Sequence, residues 1–275
     1  LSAQKNKSPM SIYDTPLILT YCIILSFILG ISMGSFINCA AYRVSHGKSF
    51  LKGRSICPSC GHELGFFDLF PLFSWIFLGG KCRYCKAKIS VRYPLTELFF
   101  GLLTVGCLLR FDLTFTCARN FLFLCCLFFL ALVDFESFII PDGALIISAA
   151  VWLVWVPFSG DPLGTLWKGL LCGVAFGAIM LVLSLILDKI LMRDTLGGGD
   201  IKLFAVIGLY VGPFGSLFTL ILACIVGLIF AGLRRVLVKN APEQIPFGPS
   251  IAFAAAVMLF VGEIFVNWYL GLLGI

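Results

Sequence analysis

Hydrophobic residues in this chain come in long blocks rather than alternating with polar ones. Eight blocks can be drawn, at about Leu17–Ala41, Leu95–Leu109, Phe121–Val133, Leu145–Phe158, Leu166–Leu191, Ile201–Val211, Leu217–Val238 and Ile251–Leu272. A hydrocarbon core takes ~20 apolar residues of helix, and in lipid a helix satisfies its own backbone groups. The pattern predicts an all-α polytopic membrane protein with about eight transmembrane helices. Gly30, Gly34 and Ser35 in the first block are small residues of the kind that let helices pack closely. The sixth block is short and opens at Asp200. That predicts a polar, water-admitting cavity beside it, because irregular backbone at membrane depth needs protein or water around it.

Composition agrees. Of 275 residues, 60% are hydrophobic and 12% charged, against ~25% charged in a soluble domain; the mean hydropathy is +1.04. On so apolar a background the net charge of +6 reads as membrane topology and attraction to lipid headgroups, not as a nucleic-acid surface. The polar stretch 1–16 is expected to be disordered. Lys5 and Lys7 precede an apolar run too long for a secretory signal, with no small-x-small cleavage site.

One long polar segment, 42–94, interrupts the apolar blocks. It carries Cys57-Pro58-Ser59-Cys60 and Cys82-Arg83-Tyr84-Cys85. Two C-x-x-C pairs about twenty residues apart have the spacing of a ribbon-type tetrahedral zinc site. Each pair makes a knuckle whose two sulfurs face one ion, so Cys57, Cys60, Cys82 and Cys85 are the predicted ligands of a structural Zn²⁺. His62 is an alternative ligand that four thiolates leave no room for. Most other cysteines, Cys107, Cys125 and Cys172 among them, lie in apolar blocks and read as small buried side chains. Between the knuckles, the aromatic run Phe66–Trp75 is expected to pack on the zinc module or lie in the headgroup layer.

The remaining chemistry is acidic. Asp134 ends one apolar block, in Val133-Asp134-Phe135-Glu136-Ser137-Phe138-Ile139-Ile140-Pro141-Asp142, and Asp200 follows three glycines in Gly197-Gly198-Gly199-Asp200-Ile201-Lys202. A carboxylate at a membrane helix end is costly, so its default reading is functional. Two carboxylates brought together share a proton and can activate water for peptide hydrolysis. Glu136 and Asp142 compete for the first role. Lys202 either biases the charge at Asp200 or snorkels to the interface. Gly197, Gly198 and Gly199 offer an approach for an extended substrate strand. Glu97 is either a functional carboxylate or, the reading preferred, an interfacial partner of Arg92.

These segments resemble the bacterial type IV prepilin peptidases, members of the GxGD membrane aspartyl proteases. The resemblance rests on GGGD-x-K, on the D…IPD box, on Gly34-Ser35-Phe36-Ile37-Asn38 with Tyr42-Arg43, on Ile89-Ser90 with Arg92–Leu98, and on the four-cysteine loop. It implies that Asp134 and Asp200 are the catalytic pair, cutting the leader from type IV prepilins or pseudopilins. It also implies N-methylation of the new N-terminus from S-adenosylmethionine, at a donor site the sequence does not mark. The division it suggests is 1–16, a first transmembrane helix at 17–41, the methyltransferase-associated cysteine module at 42–94 and the peptidase domain at 95–275.

Orientation comes from charge. With alternating spans, the cysteine loop and the loops at 134–142, 188–200 and 234–244 share one side. That side holds about fifteen of the twenty basic residues, which makes it cytoplasmic in a multi-pass protein of the bacterial inner membrane. Three other readings compete. One is a transporter with proton-relaying carboxylates, which would carry internal repeats. A second is a membrane anchor whose zinc module binds another protein. The third is a presenilin-like protease cutting within helices, against which the zinc loop and the IPD box argue.

Overall fold

The computed structural model describes residues 15–49, 53–192, 195–237 and 245–272. The expectation of disorder before Pro16 falls almost wholly outside these residues, as does most of the 234–244 loop. Among the described residues eight α-helices follow one another: α1 Pro16–Ser45, α2 Phe73–Phe77, α3 Arg92–Phe111, α4 Phe115–Ser137, α5 Asp142–Trp155, α6 Pro162–Leu191, α7 Gly198–Leu237 and α8 Gly248–Leu272. Among the described residues no strand forms. Six helices (α1, α3, α4, α6, α7 and α8) are long and apolar enough to cross a membrane, and α5 is a shorter apolar helix.

The count of eight apolar spans is reconciled by α7. Its 40 residues would make a straight rod ~60 Å long, twice the hydrocarbon thickness. Its backbone leaves the helical region at Gly212 (φ 71°, ψ −175°), immediately before Pro213. Contacts show that the chain reverses there. Asp200, in the first turn of α7, interacts electrostatically with Asp134, and Asp134 accepts the N–H of Gly248. The neighbouring Phe247 ring lies 3.4 Å from where a Cβ on Gly227 would stand. Residues 200 and 227 would be ~40 Å apart on a straight helix. The sixth and seventh apolar blocks are thus the two arms of a helical hairpin, and Gly212 supplies a left-handed φ that other residues avoid.

The chain divides into two compact units: Leu1–Cys39 with Lys52–Phe121, and Ala40–Leu51 with Leu122–Ile275. In the first, α1 and α3 meet through small residues as the sequence suggests. A Cβ on Gly30 would come within 2.6 Å of Thr104 Oγ1, and one on Gly34 within 3.2 Å of the Glu97 Cα. In the second, α6 and the first arm of α7 touch backbone to backbone. There a Cβ on Gly208 would stand 2.9 Å from the Gly173 Cα. Side chains such as Leu171, Val174, Ile186 and Leu228 point outward, as lipid-facing positions do.

Candidate active site and metal centre

The aspartate site is built at helix ends within the second unit. Asp134 sits in the last turn of α4, only 6% exposed. Its Oδ2 accepts the backbone N–H of Gly248 at 2.8 Å. Gly248 opens α8, so Asp134 occupies the N-terminal end of another helix, where unpaired N–H groups and the helix dipole favour an anion. Asp200 lies in the first turn of α7, the same favourable end of its own helix. Its N–H donates to the Gly197 carbonyl at 3.0 Å, and its Oδ1 is buried with no hydrogen-bond partner among the described residues. A buried polar atom left unpaired is costly, and the Asp134 carboxylate lies within electrostatic reach of this side chain. The arrangement can hold a shared proton and a water.

Two of the glycines before Asp200 sit in different surroundings. Gly199 lets α7 approach the other acidic box: a Cβ there would lie 2.8 Å from the Ile140 Cβ. Gly198 faces open space. Gly248 was not singled out by sequence reasoning, although a glycine between Pro246-Phe247 and Pro249 at the head of an apolar run marks a helix start. A Cβ on it would meet Asp134 Oδ2 at 2.7 Å.

Of the competing acids, Asp142 is held by Lys202, whose ammonium donates to both its oxygens at 2.8 and 3.0 Å. Both side chains are more than half exposed. Lys202 thereby closes an ion pair between α5 and α7. Glu136 lies one helix step beyond Asp134 with its Oε2 buried. A cavity of about 340 Å³ opens next to the ion pair, walled by Leu145, Ile146, Ala149 and Val206.

The cysteine loop folds as two matching knuckles in the first unit. In one, the Cys57 N–H donates to the His62 carbonyl and the Gly61 N–H to the Cys57 carbonyl. In the other, Cys82 donates to Ala87 and Lys86 to Cys82. Gly61 and Lys86 hold the same left-handed position, with φ of 71° and 62°. All four sulfurs lie within 4.8 Å of one another, and Cys57 Sγ is 3.9 Å from Cys85 Sγ. Sulfurs at ~2.3 Å from one tetrahedral zinc would be ~3.8 Å apart, so the donor set fits that ion with no ligand position left open. The N–H of Cys60, then that of Ser59, holds the Cys57 thiol down to about 6, which favours the thiolate a metal needs. His62 is not part of the quartet; its ring lies 3.6 Å from that of Tyr84.

The aromatic run is tied to the second knuckle through Asp68. Arg83 donates to its Oδ1 at 2.6 Å, and Tyr84 and the Gly65 N–H donate to its Oδ2. Burial works to raise the Asp68 pKa, but the Arg83, Gly65 and Tyr84 bonds outweigh it and hold the carboxyl below its ordinary value. Phe66, Phe67 and Phe77 stay at least 76% exposed, so the run packs on the module only in part. Glu97 corrects an expectation: it does not pair with Arg92. Its Oε2 accepts the Leu72 N–H at 2.8 Å, and Ser35 also bonds to it. The carboxylate thereby fastens the loop between the knuckles to α1 and α3. Asn38 donates to Thr96 nearby at 2.6 Å, which joins two of the segments that carry the resemblance.

Residues 28–111 match the bacterial peptidase A24 N-terminal domain, and residues 121–232 match the type IV leader peptidase family. The prepilin leader peptidase/N-methyltransferase of Bacillus subtilis is 31% identical over 250 residues, which cover 89% of this chain and 96% of the relative. This chain belongs to the type IV leader peptidase family. A relative of the same name from Vibrio cholerae is 31% identical over 250 residues, 86% of this chain and 96% of its own. One from Myxococcus xanthus is 36% identical over 188 residues, 67% of this chain, and the chain spans about half of that longer relative (54%). No solved structure matches significantly. The four cysteines fall in the N-terminal family match and both aspartates in the leader peptidase match; Gly248 lies beyond it.

Proposed function

We propose that this chain is a prepilin leader peptidase and N-methyltransferase of the bacterial plasma membrane, with Asp134 and Asp200 as its catalytic pair. One observation carries the reading: two acidic residues 66 positions apart in sequence come within electrostatic reach at the ends of apolar helices, in a chain of this family. Two carboxyls so placed cannot both ionise cheaply. One keeps a proton and the pair titrates as a unit. The ionised member takes a proton from water while the protonated one polarises the scissile carbonyl. Hydrolysis then needs no covalent intermediate. Gly248 orients Asp134, and the unpaired Oδ1 of Asp200 is free to receive the water or hold the proton.

The substrates are the precursors of type IV pilins or pseudopilins, cut after a glycine just before their apolar helix. The amine so released accepts one methyl from S-adenosylmethionine. Cys57, Cys60, Cys82 and Cys85 would hold a structural Zn²⁺ that supplies folding energy to the 42–94 module, which we associate with methyl transfer; the peptidase occupies 95–275. The basic residues in the loops support a cytoplasmic position for these loops.

Mass spectrometry of a purified prepilin, incubated in detergent with this protein and S-adenosylmethionine, tests all of this at once. The expected product lacks the leader and is heavier than the bare mature pilin by one methyl. An intact precursor, from a folded and zinc-loaded preparation, would refute the peptidase assignment.

A further inference from the structure

Two thiols outside the metal centre face each other. Cys107, in the penultimate turn of α3, and Cys117, in the first turn of α4, have their sulfurs 3.9 Å apart. Cys107 is buried and Cys117 half-buried. The separation equals that between Cys57 and Cys85, but the chemistry differs. The four-cysteine group is the one metal-capable cluster of His, Cys, Asp and Glu among the described residues, so Cys107 and Cys117 have no third ligand to complete a site.

The turn between them is well determined. Thr114 caps α4, its Oγ1 accepting the Cys117 N–H at 3.1 Å. Asp112 adopts a left-handed φ of 54°, and its Oδ1 accepts the Leu113 N–H. These bonds hold the end of α3 against the start of α4 with both sulfurs inward. Closing a disulfide requires the sulfurs to approach from 3.9 Å to ~2.05 Å.

Topology places this pair. α3 and α4 are each long and apolar enough to cross a membrane. The cysteine module precedes α3 and Asp134 ends α4, so the turn at 111–115 lies on the opposite face from both. This step rests on the orientation proposed above, which makes that face the outer one. Outside the plasma membrane the redox environment favours disulfides, whereas the cytoplasm keeps thiols reduced.

We propose that Cys107 and Cys117 form a disulfide that staples the α3–α4 hairpin at the outer face. The oxidant is a protein disulfide of the exchange class. The Cys117 thiol, the more accessible, loses its proton and attacks the donor disulfide, giving a mixed disulfide and one donor thiolate. Cys107 then loses its proton and attacks Cys117 Sγ, expelling the second donor sulfur. Two protons and two electrons leave this protein, and the donor becomes a dithiol.

Arg110 makes the test clean, because trypsin cuts between the two cysteines. Peptides 93–110 and 111–119 each contain one cysteine. Full-length protein is extracted from aerobically grown cells after acid trapping and alkylation with N-ethylmaleimide. The expected result is a linked 93–110/111–119 pair, two hydrogens lighter than the sum of the free peptides, that separates on reduction. Recovery of both peptides fully alkylated overturns the proposal. A second arm tests the orientation beneath it. Leu113→Cys is introduced together with Cys107→Ser and Cys117→Ser, and whole cells are treated with a membrane-impermeant maleimide. Added labelling at position 113 supports the outer location. Labelling only after the cells are permeabilised overturns the orientation, and with it the disulfide. Neither arm depends on peptidase activity.

Discussion

Gly248→Ala tests the least expected contact of the aspartate site. A Cβ at this position would stand 2.7 Å from Asp134 Oδ2, 2.9 Å from its Cγ and 3.0 Å from its Cβ, whereas ordinary contact begins at 3.4 Å. The carboxylate or the start of α8 must therefore retreat by about 0.7 Å. The bond from the Gly248 N–H, now 2.8 Å, lengthens out of range. A hydrogen bond to a charged group contributes ~1.5–3 kcal/mol, and a ~1 Å misplacement in a catalytic site costs about a hundredfold in rate. We expect cleavage of a prepilin in detergent to slow 10–100-fold, with the loss mostly in kcat. Gly232→Ala is the control, since a Cβ there meets nothing within 4 Å; it should leave the rate unchanged. A Gly248→Ala protein that folds and cleaves at the parent rate would show that this contact does not position Asp134.

Other expectations follow the same logic. Asp134→Asn and Asp200→Asn should each reduce cleavage at least a thousandfold, while methylation of an already processed pilin continues; substantial cleavage by either variant would remove that residue from the reaction. Metal analysis should find one zinc per chain, lost on Cys60→Ser. Gly61→Ala, which forces a Cβ into a left-handed backbone with open space around it, should cost ~1 kcal/mol and weaken zinc retention against a chelator about fivefold; unchanged retention would refute the strain argument. Because the folded state holds the Asp68 carboxyl below its ordinary value, its contribution is present above the unfolded value of ~3.9 and is lost as pH falls through the folded one. Asp68→Asn should therefore speed amide exchange at the second knuckle at pH 7 and make little difference at the acid end; a pH-independent effect would contradict that account.

Much of this molecule could be read from residue order. Membrane helices satisfy their own backbone, so composition over ~20 residues is enough to locate them, and α1, α3, α4, α6 and α8 fall where the apolar blocks predict. The cysteine quartet was legible for a similar reason: a C-x-x-C knuckle is local, closed by its own backbone bonds. What contacts across the fold decide was not legible. Glu97 was matched to Arg92, five residues away, because proximity in sequence was the only guide; its partners are Leu72 and Ser35. Lys202, left between a role at Asp200 and an interfacial one, bonds Asp142 on α5. Gly248 escaped notice because a glycine's importance depends on what faces it. Cys107 is the buried side chain expected, but that its sulfur faces Cys117 could not be read, because the two lie on different helices.

The sequence by itself determined the eight apolar segments, the cysteine knuckles and the family, since each depends on short stretches of chain whose energetics are local. Only the tertiary structure decided the rest: that α7 doubles back at Gly212, that Asp134 rests on the head of α8, and which acids pair with which bases. Those outcomes depend on burial and on distances between residues remote in sequence. There, removing a charge or hydrogen-bonding group from water selects whatever partner the packing brings within reach.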